Sequence, residues 1–421
     1  MEIKDLYQVF LRSAGVNTDT RTLKENQLFF ALKGENFDGN AYALKALEGG
    51  ACCAVVHESL QACDPRLVKV EDTLLTLQEL AACHRRQLDI PVIGLTGTNG
   101  KTTTKELIRA VLSSTYKVVA TEGNLNNDIG VPLSVLKIGP DAQIAIIEMG
   151  ASHPEDLRPL LSVAQPTHGV ITNVGKAHLE GFGSFEGVKH AKGLLYDWLK
   201  AQDGVAFANG EDPVLQEMLW ERGVPCIAYG LKGVEILPSS PEHPFLRMDF
   251  GDGVLETQLV GAYNAANVLA ALKIGWFFGV PREKAWAAIT SYSPSNNRSQ
   301  LLKTQNNTLI VDAYNANPSS MAVALDNLSL VQGRKVALLG DMRELGADAP
   351  AEHSRIVERL EGCEAYLVGE EFTRAAKGTP LKTFATSEEL AKYLLEHPLQ
   401  GCTILVKGSR GTQMEKVIAS L

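Results

Sequence analysis

At 421 residues the chain is too long for one ordinary core, so two or three domains are expected, and its 45% apolar and 21% charged residues fit a soluble globular protein. No run of about eighteen apolar residues is present and Met1-Glu2-Ile3-Lys4-Asp5-Leu6 lacks the basic and apolar regions of a signal peptide, so a cytoplasmic protein without membrane insertion is expected. The net charge of −9 argues against a nucleic-acid partner, and seven scattered cysteines without CxxC spacing read as reduced thiols rather than disulfides or a metal site.

Residues 28–32 read as a strand, 33–39 as a turn, 41–47 as a helix and 53–56 as the next strand, a small α/β unit. From Pro91 onward strands alternate with helices. Residues 92–95, 118–120, 144–147, 169–172 and 205–208 are apolar runs, with helices predicted over 102–112 and 188–199. Such runs, apolar on both sides, predict a parallel sheet covered on both faces. Residues 231–259 read as antiparallel strands or a loop-rich edge, and 265–278 as a helix. A second series of strands, 309–311, 336–339, 365–368 and 403–406, follows the polar stretch Ser293-Pro294-Ser295-Asn296-Asn297, which reads as a linker. The expectation is an α/β chain of three domains, 1–82, 83–295 and 296–421.

The strongest motif is Gly94-Leu95-Thr96-Gly97-Thr98-Asn99-Gly100-Lys101-Thr102-Thr103, which follows a strand and opens a helix. Glycines there let backbone N–H groups face phosphates, the helix N-terminus adds positive potential, Lys101 neutralises the outer phosphates and Thr102 offers a hydroxyl to Mg²⁺. Leu95 stands where the usual loop has its first glycine, and a Gly-rich turn without function is the bland alternative. Glu148 ends a predicted strand of the same sheet, where an acid can hold Mg²⁺; alone, a surface acid is the commoner case. His178 closes the loop after the next strand, with a metal or phosphate role weighed against packing or capping. Lys192, on the predicted helix, is by default an exposed lysine. The segment containing Asn124, Asn126 and Asn127 is either a turn or a substrate loop, and Asn264 and Asn267 either cap a helix or touch a ligand. Asp312-Ala313-Tyr314-Asn315-Ala316-Asn317-Pro318 follows the first apolar strand of the last domain, again at a strand end.

Together Thr96 to Thr102, Glu148-Met149-Gly150, Asn173-Val174-Gly175-Lys176-Ala177-His178 and Tyr263-Asn264-Ala265-Ala266-Asn267 resemble the Mur ligases of peptidoglycan synthesis. The 312–318 run, Gly340-Asp341-Met342-Arg343-Glu344-Leu345-Gly346 and Lys407-Gly408-Ser409-Arg410 are similar to the branch that joins D-alanyl-D-alanine to UDP-MurNAc-tripeptide. The resemblance implies a central ATP-binding P-loop domain between a small N-terminal domain for the UDP substrate and a C-terminal Rossmann-like domain for the dipeptide. It implies ATP and Mg²⁺ as cofactors, an acyl-phosphate intermediate and a monomer. It assigns Gly97, Thr98, Asn99, Gly100, Lys101, Thr102 and Thr103 to the phosphates, and Thr102, Glu148, His178 and a carbamylated Lys192 to the metals. Asn267, Arg298 and Asp312 match nucleotide contacts; Thr20 and Arg21, Asn124, Asn126 and Asn127, and Tyr314, Asn315 and Asn317 match substrate regions. Folylpolyglutamate synthase shares the P-loop logic, a P-loop switch ATPase would hydrolyse ATP without a carboxylate acceptor, and a binding scaffold would not need Lys101, Glu148 and His178.

Overall fold

The computed structural model describes residues 1–34, 37–240, 242–294 and 298–421. The expected turn residues Glu35 and Asn36 and the expected linker residues Ser295, Asn296 and Asn297 lie outside the described residues. The fold is built on three largely parallel sheets.

The first sheet pairs Val16–Asn17, Leu28–Phe30, Cys53–His57 and Leu67–Val70 in that order, all parallel. The strand period of two divides its side chains. Phe29, Ala54 and Val56 pack on Ala43, Ala46 and Leu47, while Leu28, Phe30 and Val55 face the helix Thr73–Arg85. Where a turn was expected over 33–39, Lys33–Gly34 and Phe37–Asp38 pair as a short antiparallel hairpin.

The second sheet carries six parallel strands in the order Cys226–Tyr229, Val205–Asn209, His168–Ile171, Val92–Thr96, Ile144–Glu148, Val118–Ala120. Both faces are covered, as the apolar runs require. Ile93, Leu95, Ile146 and Val170 meet Leu107, Ile108 and Val111 of the helix Lys101–Ser113 and Val268 and Leu272 of the helix Ala265–Phe277. Val92, Ala145, Ile147 and Ile171 face the opposite layer. Glu235–Leu237, Arg247–Asp249 and Val254–Glu256 form the antiparallel edge expected within 231–259.

The third sheet runs Gln300–Lys303, Thr308–Asp312, Cys402–Lys407, Arg334–Gly340, Glu364–Val368, Lys382–Phe384, parallel except for its first strand.

The expected boundary at 82/83 falls inside the helix Thr73–Arg85, which Asp72 caps by accepting from the N–H groups of Leu74 and Leu75. Leu77, Leu80 and Ala81 join a single core with Leu28 and Phe30 on one side and Val131, Val135 and Leu160 on the other. The helix belongs to both units, so burial does not fall where the domain changes.

Candidate active site

In open parallel sheets ligands sit beyond the carboxyl ends of the strands, near the point where the strand order reverses. Val92–Thr96 is that point here, flanked by Ile144–Glu148 and His168–Ile171. A cavity of about 880 Å³ opens there, its far wall formed by the strand ends of the third sheet.

The phosphate loop departs from the usual spacing without losing its geometry. Leu95 stays a fully buried strand residue and Gly97 makes the turn, at φ 141°, where a Cβ would stand 2.0 Å from Thr172 Oγ1. Gly100, at φ 76°, opens the helix Lys101–Ser113. A side chain at either position meets both a backbone penalty and a steric one. The loop is tied to the next strand's loop: Thr98 N–H donates to Asn173 O at 3.0 Å and Asn99 N–H to Asn173 Oδ1 at 3.0 Å. Lys101 Nζ folds back onto Gly97 O at 2.8 Å and Thr98 O at 3.1 Å. Burial pushes its ammonium pKa down, Glu148 opposes that shift and Arg298 adds to it. Thr98, Asn99, Gly100, Lys101, Thr102 and Thr103 line the cavity; Gly97 lies behind them.

Glu148 is 1% exposed, which for a carboxylate demands partners. Its Oε1 accepts from Asn126 Nδ2 at 2.8 Å and from Thr102 Oγ1 at 3.3 Å, while Oε2 has no hydrogen-bond donor. A buried carboxylate beside a threonine hydroxyl fits a hard cation. Among the described residues no three His, Cys, Asp or Glu side chains converge as a metal cage. Mg²⁺ takes one or two protein oxygens and fills its shell with phosphate and water.

His178 lines the same cavity at φ 51°, but its ring pairs with Glu344 of the third sheet's loops. The hydrogen bond from His178 lowers the Glu344 carboxyl pKa. Lys192 departs from the default of an exposed lysine: it is 2% exposed, with Nζ donating to Ala151 O at 3.2 Å and standing 5.3 Å from the Phe182 ring centroid. Burial drives its ammonium pKa far down, Lys101 adds to the shift and Asp156 opposes it. It lies beneath the wall that Ala151 and Asp156 form.

Asn124, Asn126, Asn127, Asn267, Arg298, Asp312, Tyr314, Asn315 and Asn317 all line the cavity. Asn264 gives its helix no side-chain cap. It accepts instead from Asn267 Nδ2 at 2.9 Å, and Asn267 Oδ1 accepts from Thr104 Oγ1 at 3.0 Å. The Arg298 guanidinium lies 3.6 Å from the Tyr314 ring centroid. Asn317 reaches across the cavity, Nδ2 donating to Asn99 Oδ1 at 2.7 Å. Thr20 and Arg21 are not brought to this cavity; Arg21 is exposed in the N-terminal unit and pairs with Asp19 at 2.6 Å.

Lys105, Lys407 and Glu344 were not singled out as site residues by the sequence reading. Lys105 is fully buried four residues beyond Lys101, a spacing that puts both on one helix face. Lys407, 1% exposed, ends the strand beside Asp312 and pairs with it. Its strand-end position was the available signal.

Three family models match in succession: "Mur ligase family, catalytic domain" over residues 12–85, "Mur ligase middle domain" over 95–275, and "Mur ligase, glutamate ligase domain" over 297–410. A Bacillus subtilis protein named UDP-N-acetylmuramoyl-tripeptide–D-alanyl-D-alanine ligase is 33% identical, across 97% of this chain and 93% of that protein. A crystal structure of MurF from Acinetobacter baumannii superposes with a TM-score of 0.85 at 30% identity, covering 99% of this chain and 98% of that one. The MurF ligase of Thermotoga maritima in complex with ADP gives a TM-score of 0.85 at 26% identity over 98% and 97% of the two chains.

Proposed function

The chain belongs to the Mur ligase family, and from that premise we propose that it joins D-alanyl-D-alanine to UDP-N-acetylmuramoyl-tripeptide while ATP becomes ADP and phosphate. One observation carries the reading: the phosphate loop, the buried Glu148 and the Asp312–Asn317 strand-end loop meet in one cavity large enough for nucleotide and acceptor. The relatives that match over nearly the whole chain bear the name of that reaction.

A carboxylate acylates poorly because its oxygen is a poor leaving group. Transfer of the γ-phosphoryl group to the tripeptide's terminal carboxylate gives an acyl phosphate. The dipeptide amine then adds to the carbonyl carbon, and the tetrahedral intermediate expels phosphate. Lys101 exchanges the carbonyls of Gly97 and Thr98 for phosphate oxygens. Thr102 and Glu148 would hold Mg²⁺, which when bound would offset repulsion between the carboxylate and the phosphates. Asn267 holds the base, Arg298 and Asp312 the rest of the nucleotide, and Tyr314, Asn315 and Asn317 the dipeptide side of the cavity. Burial lowers the Lys192 ammonium pKa, which favours the free amine that adds CO₂: an N–C bond forms and a proton leaves, and the carbamate, together with His178, would hold a second metal ion. Thr20 and Arg21 take the UDP end in the N-terminal unit.

The reaction is cytoplasmic, and no described helix is long and apolar enough to cross a membrane. The chain is taken to act as a monomer. The test is phosphate release with product mass. Release that requires ATP, UDP-MurNAc-tripeptide and D-alanyl-D-alanine together, with the pentapeptide formed, is expected. Release with ATP alone, or only with folate and glutamate, overturns the reading.

A further inference from the structure

Lys105 has no exposed side-chain surface and does not line the cavity, yet it sits among the cavity's supports. Its Nζ donates to Thr121 O at 2.6 Å and to Gly123 O at 3.3 Å. The same ammonium lies 3.7 Å from Glu148 Oε2 and 3.2 Å from Glu106 Oε1. Burying an ammonium is costly unless its donors find acceptors and its charge a partner. Both conditions are met, and they are met by three different parts of the site.

Those parts are the phosphate-loop helix Lys101–Ser113, the 121–123 turn that leads into Asn124, Asn126 and Asn127, and the strand end at Glu148. Secondary ties close the same circuit. Thr121 Oγ1 accepts from Glu148 N–H at 3.0 Å, and Asn126 O accepts from Gly150 N–H at 2.7 Å. Asn126 Nδ2 holds Glu148 Oε1 at 2.8 Å, so the lysine is left facing Oε2, the oxygen without another donor. A lysine on a helix is ordinarily a solvated side chain; this one is turned inward onto two carbonyls and two carboxylates.

We infer that Lys105 is a positioning residue for the proposed ligation: it sets the asparagine loop against the phosphate-loop helix and, from the Oε2 side, holds Glu148 in the orientation that keeps Oε1 beside Thr102 and Asn126. The inference rests on the ligase reading of the same site. A lysine that served only stability would change the denaturation midpoint and leave the separate substrate constants alone.

The discriminating experiment compares Lys105→Met, which keeps length and removes charge and donors, with Lys105→Arg, which keeps both. Michaelis constants are measured separately for ATP and UDP-MurNAc-tripeptide, and amide hydrogen exchange over 121–128 is followed without nucleotide or metal. For Lys105→Met, exchange over 121–128 is expected to quicken about tenfold and the KM for the tripeptide to rise about tenfold, with the KM for ATP within about threefold of wild type. Lys105→Arg is expected to regain more than half of the lost kcat/KM. Unchanged protection over 121–128, a fall in kcat with both KM values unmoved, or an arginine variant no better than methionine overturns the assignment. Should Lys105→Met fail to fold, Glu148→Gln is added to remove the unmatched charge and exchange alone is read. Protection equal to that of Glu148→Gln by itself then overturns the inference. Absence of pentapeptide from the wild-type chain would sink the ligase reading and leave the exchange comparison intact.

Discussion

Single buried side chains couple the stability of this molecule to pH. His84, 7% exposed, lies in the seam between the first and second sheets, with Nε2 2.8 Å from Ile138 O and Nδ1 3.2 Å from Tyr7 Oη. A neutral ring with its proton on Nε2 satisfies both, donating to the carbonyl and accepting from the phenol. Burial lowers the His84 pKa below 6.5, and the bond to Ile138 opposes part of that shift. The unfolded chain therefore binds more protons than the folded one between the lowered value and 6.5. The sign follows: the contribution is complete above 6.5 and is lost as pH falls through the folded value. Wild-type Tm is expected to drop by several degrees between about pH 7 and about pH 5. His84→Gln, which can still donate to Ile138, is expected to start lower and fall less steeply. Parallel Tm–pH curves for the two chains would show that His84 is not the group responsible.

At the scale of elements, the helix Pro318–Leu330 joins local propensity to the site. Asn317 caps it through a full capping box, Oδ1 accepting from Ser320 N–H at 2.8 Å and Ser320 Oγ accepting from Asn317 N–H at 3.1 Å. Its Nδ2 is thereby free to meet Asn99 of the phosphate loop. Two substitutions separate these duties. Asn317→Ala is expected to cost about 1 kcal/mol of stability in a urea titration, from the lost cap. Asn317→Asp keeps the acceptor and is expected to stay within about 0.5 kcal/mol of wild type. Both lose the tie to Asn99, so both are expected to raise the KM for ATP; an aspartate variant with normal KM would remove Asn317 from the nucleotide's surroundings. How far such features could be read from residues alone follows from their range. The apolar runs at 92–95, 144–147 and 309–311 mark strands buried on both faces, and the polar residues just after them fall at strand ends by chain geometry. The strand-end positions of Glu148 and Asp312 were legible for that reason. The inward turn of Lys105 and the burial of Lys192 were not, because helical spacing does not say which neighbour a face will meet. Thr73–Arg85, which the expected 82/83 boundary divides, turns apolar residues toward both the first and the second sheet.

Over the whole molecule, the third sheet's loops rest on the second unit through a few polar ties. Lys176 Nζ pairs with Glu352 at 2.9 Å, Lys176 N–H donates to Ser319 Oγ at 3.1 Å, and Glu344 takes the ring of His178 and, through its backbone O, the N–H of Glu180 at 3.3 Å. Pairs with one exposed partner contribute about 0–1 kcal/mol each and weaken with salt. Glu344 is 59% exposed and Lys176 46%, so these two pairs are clasps rather than welds. A clasp of that strength permits opening for substrates to enter and product to leave, and under the proposed function leaves closure to be completed by a nucleotide between Lys101 and Asn267 on one wall and Arg298 and Asp312 on the other. Glu344→Gln with Glu352→Gln removes both acceptor charges while keeping side-chain size. The free double variant is expected to show a larger radius of gyration in solution scattering, with most of the difference abolished by saturating ATP analogue. If each pair supplies about 0.7 kcal/mol, their joint loss shifts the open–closed equilibrium about tenfold, and the KM for ATP should rise by up to that factor. A radius and KM equal to wild type would mean that the two units are held by their apolar seam, with the charged pairs as bystanders.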